Sequence, residues 1–194
     1  MNTRIALLLS LILSCIYVFP QTNHSKNSNQ SELISGLVFR NDSVIRLEDS
    51  SYTDTIQLLN LKGTVQALQF KLLFNKSSDD SKILIFKSVQ KGPDLNDPAW
   101  LLEYNILPGK THSNEESKDE IFVLLYNSNL KGGLVPGDYN SLVEITYDVI
   151  DLPKFSSSVK SSINISNAEA GSSDGNKINI TSRHSELKIV VNSK

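Results

Sequence analysis

Residues 68–74 read Leu-Gln-Phe-Lys-Leu-Leu-Phe, so an extended chain puts Leu68, Phe70, Leu72 and Phe74 on one side and Gln69 and Lys71 on the other. Residues 143–149 repeat the pattern, with Glu144, Thr146 and Asp148 opposite an apolar set. A period of two is the signature of a strand buried on one face. Weaker runs of the same kind fall at 43–47, 55–59, 83–89, 159–165, 178–180 and 186–191. Residues 121–125, Ile-Phe-Val-Leu-Leu, are continuously apolar. Their shortness and their β-branched and aromatic content favour strand over helix, and the run predicts a central strand buried on both faces.

Turn-forming residues separate these runs: 75–81, 92–98, 108–118, Gly132-Gly133, Pro136-Gly137-Asp138 and 171–176. A parallel α/β fold needs a dozen or more residues of crossover between strands, and no such helical segment is present. One helical turn is expected after Pro98, within 97–104. The pattern predicts an all-β fold, a two-sheet antiparallel sandwich with jelly-roll topology. Residues 68–74 and 187–191 are long enough to pair with a neighbouring molecule if they lie at a sheet edge.

The N-terminus has a different grammar. Residues 1–20 carry Arg4, then an apolar stretch, then a weakly polar end, the organisation of a secretory signal, with a retained membrane anchor as the alternative. Cys15 is the only cysteine, so the chain beyond the leader and the polar stretch that follows it, about 160 residues, is held by its core without a disulfide. The order Ile12-Leu13-Ser14-Cys15 is similar to a bacterial lipoprotein cleavage box, which would put a lipid anchor on Cys15; an ordinary small residue in the leader is the other reading. Residues 21–32 are too polar to offset their ordering entropy and are expected to be a tether to a single domain at 33–194. The net charge of -2 gives no electrostatic reason to expect nucleic acid as a partner.

The order of features resembles one superfamily. A strand at 65–74 is followed by a run ending Val89-Gln90-Lys91-Gly92, then by Gly137-Asp138-Tyr139 entering a strand. Ala168-Glu169-Ala170 then precedes the turn Asp174-Gly175-Asn176 and a closing C-terminal strand. Alanines permit close approach of neighbouring strands, and Gly175 supplies the positive φ of a tight turn. Over about 37–192 this is similar to the cohesin and cellulose-binding-module superfamily, jelly-roll sandwiches of secreted bacterial proteins. The polar insertion at 108–118 and the Phe74-Asn75 junction, where many cohesins have Tyr-Asp, depart from the cohesin pattern.

Residues able to carry chemistry are sparse. His24, His112 and His184 are scattered through the chain. The adjacent acids Asp79-Asp80, Glu115-Glu116 and Asp119-Glu120 read as solvated loop charges rather than a glycosidase pair. No enzyme is expected, and no cofactor. Calcium has two weak candidate loops, Asp94-Asn96-Asp97 and Asp174-Gly175-Asn176, against turns in which the acid bonds its own backbone. For a glycan, Trp100, Tyr104 and Asp97 form the candidate ligand-binding set: an aromatic face to stack on a sugar ring with a carboxylate to read its hydroxyls. Trp100 as a cap on the core is the competing assignment. The expectation is a secreted or cell-surface, non-catalytic module binding a glycan or a protein partner, with a structural spacer or assembly subunit as the alternative.

Overall fold

The computed structural model describes residues 34–41, 45–47, 51–75, 84–107, 119–129, 132–149, 159–182 and 186–191. The leader at 1–20, Cys15, the tether at 21–32, the three histidines and the acid pairs at 79–80 and 115–116 lie outside them.

Twelve strands are present among the described residues: β1 (Ser35–Phe39), β2 (Ile45–Leu47), β3 (Ser51–Leu61), β4 (Ala67–Asn75), β5 (Leu84–Lys91), β6 (Trp100–Leu107), β7 (Asp119–Asn127), β8 (Gly137–Val149), β9 (Val159–Gly171), β10 (Lys177–Ile178), β11 (Ile180–Ser182) and β12 (Glu186–Val191). A five-stranded sheet runs β11-β1-β3-β8-β5. A seven-stranded sheet runs β2-β12-β9-β4-β7-β6, with β10 also on β9. The expected two-sheet sandwich is therefore present, and most pairs are antiparallel. Two pairs, β1 with β11 and β2 with β12, are parallel.

Alternation builds the core. Leu68, Phe70, Leu72 and Phe74 of β4 are buried, as are Ile121, Val123 and Leu125 of β7 and Val143, Ile145 and Tyr147 of β8, and all belong to one continuous apolar cluster. Burying side chains of this size is worth about 1.5–3 kcal/mol each relative to exposure, which is how a sandwich without a cross-link among these residues is held. Close backbone approach adds a constraint at Gly92, where an added Cβ would lie 2.1 Å from the Ser141 carbonyl oxygen. Only glycine fits there.

Four expectations are corrected. Residues 121–125 do form a strand, but Phe122 and Leu124 are only half-buried because nothing among the described residues covers the outer face of that sheet. No helix forms over 97–104: a 3-10 turn lies earlier, at Pro93–Leu95, and Trp100 onward pairs residue for residue with β7. The run at 178–180 is split, β10 belonging to one sheet and β11 to the other. The strand at 68–74 is no edge, since β4 lies between β9 and β7, and that at 187–191 lies between β9 and β2. The sheet edge at this side of the seven-stranded layer is β6, which turn chemistry before Trp100 had disguised as loop.

Candidate functional site

The outer face of the seven-stranded sheet, which no described residue covers, carries a mixture of apolar and paired polar side chains. Register fixes its layout. Gln69 stands opposite Glu169 on one side and Leu124 on the other, and Leu124 in turn opposite Glu103. In the next row Ser166, Lys71, Phe122 and Asn105 stand side by side. Successive outward residues of a strand are two apart, so Phe122 and Leu124 form an apolar centre on β7.

Paired polar groups ring that centre. The Gln69 amide donates to Glu169 at 2.8 Å, and Lys71 Nζ lies 3.0 Å from Glu120 Oε2. The Tyr126 hydroxyl donates to Glu103 Oε1 at 2.8 Å. Burial first, and then the Glu103 acceptor and its charge, push the Tyr126 phenol up to about 12. The Glu169 carboxylate also faces Lys177 Nζ at 3.6 Å. Cross-strand pairing holds each charged group in place while leaving it at the surface.

The bulge that shapes the border lies in β9. Its register against β4 shifts between Gln69 and Lys71, and Asn167 at this point has φ +50°. Asn is among the residues that tolerate this left-handed conformation best. Beside the bulge, an open groove of about 1050 Å³ runs from Lys71 and Phe122 past Ala168 to Lys177 and Ile178.

The three residues expected to bind a glycan do not form a platform. Trp100 is 3% exposed and belongs to the core, so its ring face is unavailable for stacking, and the core-cap assignment is the correct one. Its carbonyl accepts a hydrogen bond from Lys91 Nζ at 2.7 Å. Tyr104 is exposed, with its ring edge-on to Phe86 at a centroid distance of 5.4 Å. Asp97 closes the turn before β6: its carboxylate accepts the Ala99 N–H at 2.8 Å and its carbonyl the Trp100 N–H at 3.0 Å.

In both candidate calcium loops an acid accepts hydrogen bonds from the protein. Asp94 Oδ2 accepts the Ser141 N–H at 2.6 Å, tying the 3-10 turn to β8. Asp174 accepts from the Ser172 hydroxyl and the Asn176 amide, and the Ser172 bond leads the causes that hold its carboxyl below the usual range. Gly175 has φ +80°, as that turn requires. Among the described residues no three His, Cys, Asp or Glu side chains gather as a metal site, and no helix is long and apolar enough to cross a membrane.

Phe122 and Leu124 were not singled out by sequence, because a run of five apolar residues hides which of them point outward. The signal was indirect: Gln69 and Lys71 are polar on the strand that β7 pairs with, so their partners share a solvent-facing side.

No family profile matches the sequence, and no curated protein does. Solved structures do. A cohesin of Clostridium thermocellum, crystallised in a type I cohesin–dockerin complex, is similar over 86% of this chain and 99% of its own, with a TM-score of 0.60 at 17% identity. The non-cellulosomal cohesin of the archaeon Archaeoglobus fulgidus matches over 82% of this chain and 91% of its own, with a TM-score of 0.53 at 14% identity. A cohesin module from a family 33 glycoside hydrolase of Clostridium perfringens matches over 82% and 98%, with a TM-score of 0.54 at 17% identity. The domain is cohesin-like in fold, as the order of its sequence features implied.

Proposed function

We propose that this chain is a non-catalytic docking module that binds a protein partner on the outer face of its seven-stranded sheet. The observation that carries the reading is the half-buried pair Phe122 and Leu124 on an outer face that no described residue covers, flanked by Gln69–Glu169, Lys71–Glu120 and Tyr126–Glu103. An apolar centre inside a hydrogen-bonded polar rim is the anatomy of a protein interface. The cohesin from Clostridium thermocellum that shares this fold was crystallised with a dockerin, which supports a protein as the partner class. A glycan partner is the weaker reading, because the one tryptophan is in the core. The leader read at 1–20 supports a site of action outside the cytoplasm, secreted or at the cell surface, with Cys15 as the position of a lipid anchor if one is attached.

The test immobilises the purified protein and exposes it to the proteins secreted by its own cells, beside a Phe122→Asp variant and a glycan array. A discrete captured protein whose affinity falls about thirtyfold or more with Phe122→Asp, at unchanged melting temperature, supports the reading. Capture indifferent to that substitution, or binding to a glycan alone, overturns it.

A further inference from the structure

Six large hydrophobic side chains are exposed among the described residues, and three of them, Leu101, Tyr104 and Ile106, lie on β6. A fourth, Ile85, is on β5, whose Phe86 touches Tyr104 across the gap between the sheets. This concentration falls on a sheet edge, where a strand presents backbone N–H and C=O groups to whatever lies beside it.

The other sheet ends are blunted. β2 and β11 have three residues each. β5 carries Lys87 and Lys91 and a register shift between Phe86 and Ser88. β6 has none of these devices: it is eight residues long, contains no Lys, Arg, Pro or Gly, and follows β7 without a register shift. Lys91 caps only the carbonyl of its first residue, Trp100.

Its sequence is close to a palindrome. From 101 to 107 it reads Leu-Leu-Glu-Tyr-Asn-Ile-Leu, which matches its own reverse in polarity at each position. A two-fold interface requires a surface complementary to itself. Pairing β6 antiparallel with a second β6 about Tyr104 sets Tyr104 against Tyr104, Leu102 against Ile106, Leu101 against Leu107, and Glu103 against Asn105. No like charges meet in this register. A shift that opposed Glu103 to its own copy would bring two carboxylates together, so charge selects the first arrangement.

We propose that β6 is a self-association edge, at which two copies of this chain pair antiparallel along residues 101–107 about a two-fold axis at Tyr104 and join their seven-stranded sheets into one. The partner is a second copy because the strand is complementary to itself. The proposal does not rest on the docking face having a partner.

Asn105 and Glu103 are exposed and point outward, so both can be exchanged without touching the core. Asn105→Glu places a carboxylate opposite Glu103 of the second copy, twice per dimer. The double variant Glu103→Lys with Asn105→Glu restores opposite charges in the same register. Sedimentation equilibrium of the purified protein over a wide concentration range, with circular dichroism to confirm folding, is expected to show a reversible dimer. Asn105→Glu is expected to weaken it about tenfold, and the double variant to return it to the original strength or beyond. A strict monomer at every concentration overturns the proposal. So does a dimer that Asn105→Glu leaves unchanged, or one that the double variant fails to rescue.

Discussion

Tyr147 and Asp54 lie on paired strands with both side chains turned into the core, and neither the Tyr147 hydroxyl nor Asp54 Oδ2 has a hydrogen-bond partner among the described residues. Burial raises the proton affinity of the Asp54 carboxyl above the ordinary 3.8, against the opposing pull of the Thr55 N–H, the Asn41 amide and Arg40. Burial, and after it the Asp54 charge, also pushes the Tyr147 phenol well above its ordinary value. Two polar groups share a region otherwise filled by aliphatic and aromatic packing, including the Tyr52 ring at 5.7 Å from that of Tyr147.

The pH dependence of stability follows from the sign of the Asp54 shift. A carboxyl that holds its proton more tightly when folded contributes stability that is complete below the unfolded value of 3.8 and is lost as pH rises through the higher folded value. Asp54 therefore makes the fold less stable at neutral pH than in acid. Asp54→Asn is expected to raise stability at neutral pH by about 1 kcal/mol, with the advantage shrinking as pH falls toward the unfolded value. Denaturant unfolding of both proteins at neutral and acidic pH measures this; an advantage that grows on acidification contradicts it.

Trp100 and Tyr104 share a strand and differ in burial, 3% against 45%. Trp100→Ala is expected to cost about 3–5 kcal/mol, since it empties a large volume in the core. Tyr104→Ala, which leaves the core cluster intact, is expected to cost about 1 kcal/mol or less. Thermal unfolding of the two variants separates core from surface on this strand, and similar losses would contradict the assignment.

Glu103 acts on the Tyr126 phenol after burial has done so. Replacing the carboxylate with a neutral amide in Glu103→Gln removes the charge, so the pKa is expected to fall from about 12 toward the ordinary 10.0, the remainder being due to burial. Alkaline titration of Tyr126 by ring-carbon NMR reports the change. An unmoved Tyr126 would mean that the two side chains do not meet in solution.

The architecture was legible wherever alternation was clean. β4 and β8 could be placed from their own residues because polar Gln69, Lys71, Glu144 and Thr146 mark the outer side. β7 could be assigned as a strand, but its five consecutive apolar residues conceal that Phe122 and Leu124 face outward, since that depends on what fails to cover the sheet. β6 was hidden for the opposite reason. Asp97, Pro98 and Ala99 announce a turn, and the mixture Leu-Leu-Glu-Tyr-Asn-Ile-Leu has no clean period because Tyr104 and Ile106 project inward at a border where the layers no longer shield them. Trp100 illustrates a further limit: tryptophan suits a binding platform and a core equally well, and only the packing around it separates the two.

A single residue, Asn179, lies between β10 on one sheet and β11 on the other. The chain thus passes from layer to layer in one step, with Ile178 docked along β9 and Ile180 along β1. Fraying at either strand is expected to tug directly on its neighbour through this covalent stitch, so the amides on both sides of it are expected to lose protection against solvent exchange together.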